Sequence, residues 1–189
     1  MDINFLTYDS RAHGRSEGHL YTLGVKEATD VTHLIDEVLA AHPDMSFGIY
    51  ARGNTSNIAL KALSQDSRLR YGIVEYFYEN PMNHLQYLNY DDVLIQSTIL
   101  NEYVLDRSLK FLDQSRTDLN LKLDNITQPM LMLSTPYNYD AMQQLSNYIC
   151  SDDKQVVLFN ENIYLEPWKQ DDEGYVECIK DFLEINSIS

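Results

Sequence analysis

The chain has 189 residues, 44% of them hydrophobic, which suffices for one substantial core and is short for two. Its formal charge of −15 opposes polyanionic partners, whose phosphates are bound by clustered lysine and arginine, so nucleic acid is excluded. No apolar run nears the roughly 20 residues that span a bilayer and no signal-peptide pattern opens the chain, so no membrane association is expected and the compartment reads as cytoplasmic.

In chain order, Ile3-Asn4-Phe5-Leu6-Thr7-Tyr8 reads as a first strand. Over residues 25–39 the apolar positions Val25, Ala28, Val31, Leu34, Ile35, Val38 and Leu39 recur at helical spacing and leave Lys26, Asp30 and Glu37 for solvent. A strand over residues 47–50 runs into a sharp turn at Gly53 and a helix through Ile58, Ala59, Leu60 and Leu63. Residues 71–77 form the next strand, closed by Asn80-Pro81.

From 82 to 124 the leucine- and tyrosine-rich sequence has helical periodicity, fitting two or three helices inserted between strands. Residues 128–133 resume the sheet, 139–149 form a helix and 155–159 the last strand. The final helix, 174–185, buries Val176, Ile179, Phe182 and Leu183, and the acidic run Asp171-Asp172-Glu173 suits a helix start. This alternation predicts an α/β fold with a mainly parallel sheet of about five strands flanked by helices. With no repeat or linker, residues 1–189 form a single domain, and Cys150 and Cys178 read as two reduced thiols near the core.

Three groups of residues carry a resemblance. Tyr50-Ala51-Arg52-Gly53-Asn54-Thr55-Ser56 stands between strand and helix, Asp9-Ser10-Arg11-Ala12-His13-Gly14-Arg15-Ser16 follows the first strand, and Leu23-Gly24, Glu27 and Asp30-Val31 open the next helix. They resemble the nucleophile elbow, the D-x-R-G-H-G-x-S loop and the following helix start of the α/β-hydrolase superfamily, whose members include serine esterases. Ala12 stands where the family has glycine. The resemblance implies a truncated α/β-hydrolase fold with a helical cap at about 82–124, and it leaves nothing to match the strand that the family places between the Asp9 strand and the elbow strand. Those two strands must pair directly or leave a gap.

The resemblance also assigns the catalytic positions. The nucleophile position holds Gly53, which has no side chain and keeps the turn without strain. Counting from Pro129, the acid position holds Asn138, with Thr135 where glycine is usual, and Tyr164 best matches the histidine. The five histidines are His13, His19, His33, His42 and His84, so none follows the last strand. Asn54 supplies one oxyanion-hole N–H, and the second donor has no counterpart. Substitutes are scarce: Ser56 as a displaced nucleophile and Asp140 as a migrated acid are the candidates, while Thr55 and Ser134 read as capping or turn residues.

Arg52, with the helix start at Asn54, could hold an anionic group, though a solvated or paired arginine is the plainer reading. His13, His19 and Asp9 lack a convincing metal geometry, so no metal and no cofactor are expected. The tyrosines over 71–90 and Trp168 could line a pocket under the cap or pack in the core. The expected function is that of a pseudoenzyme with a binding or interaction role. Its partners would be a small molecule in the cap cleft, or a second copy or complementing chain at an exposed strand edge. The alternatives are an active esterase or peptidase-like hydrolase using displaced groups, and one part of a split hydrolase.

Overall fold

A computed structural model describes residues 3–19, 21–22, 24–77, 121–159 and 172–186. Strands β1 (Phe47–Arg52), β2 (Leu69–Glu75), β3 (Met130–Ser134) and β4 (Lys154–Leu158) form a parallel sheet in the order β1-β2-β3-β4. Parallel neighbours need crossovers, and helices α1 (Glu27–Ala41), α2 (Asn54–Gln65), α3 (Tyr139–Tyr148) and α4 (Asp172–Ile185) flank the sheet. The α/β fold with a parallel sheet expected from the alternation is the fold observed.

The sheet is covered on both faces, which is why β3 is an unbroken apolar run: all five of its residues are buried. On one face Ala28, Val31 and Ile35 of α1, Ile58, Ala59, Leu60 and Leu63 of α2, and Met142 and Leu145 of α3 pack with Ala51, Val74, Met130 and Met132. On the other, Tyr175, Phe182 and Leu183 of α4 pack on Ile73, Leu131 and Leu133. Helix α2 is buried from Ser56 through Leu63, so it is the central helix of its layer.

Three expectations need correction. Residues 3–8 form no strand and join no ladder, so the described sheet has four strands rather than about five. Strand propensity alone cannot make a ladder, and no described backbone group hydrogen-bonds to the backbone of this segment. Val176 is 41% exposed, because the buried stripe of α4 runs through Tyr175, Cys178, Ile179 and Phe182 and turns Val176 outward. Of the two free thiols, Cys150 is exposed and Cys178 half-buried, so only the latter lies near the core. The cap at 82–124 and Trp168 fall outside the described residues, except for 121–124, where a short 3-10 turn (Leu123–Asn125) leads to β3.

The loop before α1 is tightly organised. Asp9 accepts the Arg15 N–H at 2.9 Å and the Ser16 hydroxyl donates to the Asp9 carbonyl at 2.6 Å. A Cβ on Gly14 would stand 2.2 Å from the Asp9 carboxylate, which explains the glycine there. Ala12 adopts φ +61, a backbone conformation that favours glycine. Positive φ costs an alanine about 1 kcal/mol relative to glycine. Ala12→Gly is therefore expected to raise stability by about 0.5–1 kcal/mol in chemical denaturation, and a loss of stability would show that the turn has no strain to relieve.

Candidate functional site

The four parallel strands end together. Arg52 pairs with Glu75, Glu75 with Leu133 and Leu133 with Val157, so one row of residues marks the C-terminal edge, where ligands of such sheets bind. Gly53 follows Arg52 with φ +60 and ψ −126 and starts α2 without an intervening loop. Its N–H donates to the Glu75 carbonyl at 2.8 Å, and the Ser56 hydroxyl donates to the same oxygen at 2.9 Å. One carbonyl of β2 thus holds the turn and the first turn of α2 together. No described residue lies within 4 Å of the point where a Cβ on Gly53 would stand, so among the described residues the turn is open.

The sequence candidates fall into place around this turn. Ser56 is fully buried with its hydroxyl bound to backbone carbonyls, a poor position for a nucleophile. Thr55 seals the end of β1: its hydroxyl accepts the Arg52 N–H at 3.0 Å and donates to the Arg52 carbonyl at 2.8 Å. The Ser56 N–H is taken by the Gly53 carbonyl, so Asn54 and Thr55 carry the open N–H groups of the α2 start. Asp140 is exposed in the first turn of α3, where a carboxylate complements the helix dipole. Ser134 donates to the Val157 carbonyl at 3.0 Å.

Asn138 caps the loop between β3 and α3. Its Oδ1 accepts the Thr135 N–H at 3.0 Å, an internal turn bond that explains its burial. The Nδ2 amide of Asn138 and the Thr135 hydroxyl are both buried without a hydrogen-bond partner among the described residues. Tyr164 lies outside the described residues. His13 packs edge-on against Tyr21 at 4.9 Å with Nδ1 bonded to the Arg11 carbonyl, and His33 lies in α1, so neither sits at the ends of β1, β3 or β4. No metal-ligand cluster occurs among the described residues, and no described helix is long and apolar enough to cross a membrane.

Beneath the edge lies a buried carboxyl that the sequence reading passed over. Glu75 ends β2 fully buried; Tyr50 donates to its Oε1 at 2.7 Å and Tyr175 of α4 donates to the same oxygen. Arg52 Nε stands 3.7 Å from Oε2. Burial pushes the Glu75 carboxyl above its ordinary range, against the pull of Tyr50 and Arg52, and burial together with Glu75 pushes the Tyr50 hydroxyl up as well. With a carboxyl beside it, Arg52 offers an anion less net attraction than the sequence implied. An acidic residue inside the apolar run Ile73-Val74-Glu75-Tyr76-Phe77 was the signal that could have found this cluster.

Solved structures share the fold of this chain. An esterase of Pyrococcus furiosus matches 93% of the chain and 68% of its own, with TM-score 0.68 and 15% identity. The chain has an α/β-hydrolase-like fold. DcsB, solved with its substrate analogue, matches 95% of the chain and 79% of its own at TM-score 0.65 and 11% identity. The Pyrococcus horikoshii acylaminoacyl peptidase matches 86% of the chain but only 27% of its own, at TM-score 0.58 and 15% identity. No family model matches the chain and no curated protein matches its sequence, so the likeness is one of fold. In this hydrolase-like frame, Gly53 stands at the turn between β1 and α2, and Asn138 stands in the loop between β3 and α3.

Proposed function

We propose that this hydrolase-like chain is non-catalytic and binds a small molecule at the C-terminal edge of its sheet. The observation that carries the reading is Gly53: its turn follows a sharp strand-to-helix path like that of an elbow, yet the position, clear of every described residue, has no side chain. An activated hydroxyl also needs a base within reach, and no histidine follows residue 84. The open N–H groups at the start of α2, the Asn138 amide and the Thr135 hydroxyl favour an uncharged ligand carrying hydrogen-bond acceptors. A cytoplasmic setting accords with the free thiols.

The rival reading, a hydrolase that uses Ser56 and Asp140, is weakened by the burial of the Ser56 hydroxyl against Glu75 and by the exposure of Asp140. Purified protein is expected to show no saturable turnover of p-nitrophenyl esters and no labelling by a fluorophosphonate probe. Turnover abolished by Ser56→Ala would overturn the non-catalytic reading. Gly53→Ser should also stay unlabelled, for want of a base, and should lose about 1–3 kcal/mol because φ +60 with ψ −126 is strained for any residue with a Cβ. Rapid labelling of Gly53→Ser would instead show that a base survives. A thermal-shift screen of uncharged small molecules tests the binding role: a stabilising hit should be lost on Asn138→Ala and Thr135→Val, and a hit indifferent to both would move the ligand elsewhere.

A further inference from the structure

Two unsatisfied halves of a β-ladder stand on the same chain. Residues 3–8 are extended and no backbone hydrogen bond joins them to any described residue. Phe5 is 87% exposed and Leu6 63%. Adjacent side chains of an extended segment point to opposite sides, so Phe5 and Leu6 expose both sides of the arm, while Ile3 at its start packs against the α4 cluster and Tyr8 at its end lies by Ser10 and Asp30. Two consecutive bulky apolar residues left in water mark a contact surface.

The other half is β1, an edge of the described sheet. The Gly53 N–H points to Glu75 of β2, and peptide groups alternate in direction along a strand, so Gly48, Tyr50 and Arg52 aim their backbone groups away from the sheet. Thr55 closes the pair on Arg52 with its hydroxyl. Gly48 and Tyr50 remain, with no partner among the described residues for the outward N–H and C=O of either. Such a row is a template for one further strand.

We propose that the occupant is a second copy: the 3–8 arm of each chain adds to the β1 edge of the other, giving a two-fold dimer by reciprocal exchange. Each copy brings one arm and one edge, so the exchange closes on itself and leaves no unmatched end. Charge favours the two surfaces in a chain of net −15, since the arm has no charged side chain and β1 has only Arg52. It also selects the direction. Parallel pairing sets Asp9, which follows the arm, at the Arg52 end of β1, whereas antiparallel pairing would set it at the Asp44 end. The arm then becomes the strand that its sequence encodes, and the dimer stands whether or not the C-terminal edge binds a molecule.

Light scattering on the eluting full chain is expected to give about twice the 21.9 kDa chain mass. Association should tighten as salt screens the two acidic bodies. The variant Phe5→Asp with Leu6→Asp, and separately Leu6→Pro, should weaken dimerisation at least tenfold while leaving the monomer's melting unchanged, because the exposed side chains of the arm support nothing in their own chain. Hydrogen exchange should show the Tyr50 amide protected in the wild type and released in both variants. A monomer at every attainable concentration and salt would overturn the proposal, as would a dimer indifferent to the arm substitutions or an unprotected Tyr50 amide.

Discussion

Glu27→Ala is expected to destabilise the protein by about 3–5 kcal/mol, the largest effect of any single polar substitution considered. Glu27 is fully buried at the start of α1, and its carboxylate accepts the Thr22 N–H at 2.7 Å, the Thr22 hydroxyl at 2.7 Å and the Gly24 N–H at 2.8 Å. Arg11 Nε stands 3.8 Å away, and Arg11 also donates to Asp30. One side chain at the start of α1 therefore clamps the loop before the helix. Removing it leaves several donors unmet, each costing about 1–3 kcal/mol when buried.

At roughly 2–4 °C per kcal/mol for a chain of this size, the melting temperature should fall by on the order of 10 °C. Glu27→Gln should lie between the two, because its amide nitrogen turns a donor toward donors. Chemical denaturation of the three proteins checks the order. An alanine variant within 1 kcal/mol of wild type would show that water replaces the clamp at little cost.

The second large effect depends on pH and runs opposite to most carboxylates. Burial raises the folded-state value of Glu75 above its unfolded value of 4.5, so between the two the folded chain binds more protons than the unfolded chain. Its contribution to stability is fully present below pH 4.5 and is lost as pH rises through the folded value. Glu75→Gln cannot ionise and keeps an oxygen for Tyr50 and Tyr175. It is expected to melt several degrees above wild type at pH 8, since each unit of upward shift is worth about 1.4 kcal/mol, and the gap should close by pH 4. A variant less stable than wild type at pH 8 would mean that the contact with Arg52 outweighs the cost of burying the charge.

Both residues show why legibility differed along the chain. Glu27 was visible as part of a motif before its partners were known, because a carboxylate just inside a helix start can act on the amides next to it in sequence. Glu75 could not be assigned a role that way. Its partners Tyr50 and Tyr175 are 25 and 100 residues away, and only the parallel pairing of β1 with β2 and the packing of α4 bring them together. Val176 illustrates the same point: Tyr175 takes the buried place beside Glu75, while Ile179, Phe182 and Leu183 stay inward as the spacing predicts.

The candidate site divides likewise. The sharp turn at Gly53 and the loop bond from Thr135 to Asn138 involve residues within four positions of each other; the sequence placed the turn, and picked out Asn138 only as the match to the acid position. The burial of Ser56 and the unmet amide of Asn138 did not follow, because each depends on what lies across the sheet or in the layer above.

The sequence by itself determined the α/β order, the parallel sheet, the sharp turn at Gly53 and the organised loop before α1, since these rest on periodicity and on contacts between near neighbours. The tertiary structure decided that residues 3–8 stay out of the sheet and that a buried carboxyl links β1, β2 and α4. Strand pairing and desolvation are properties of neighbours distant in the chain, and no local pattern specifies which neighbour is present.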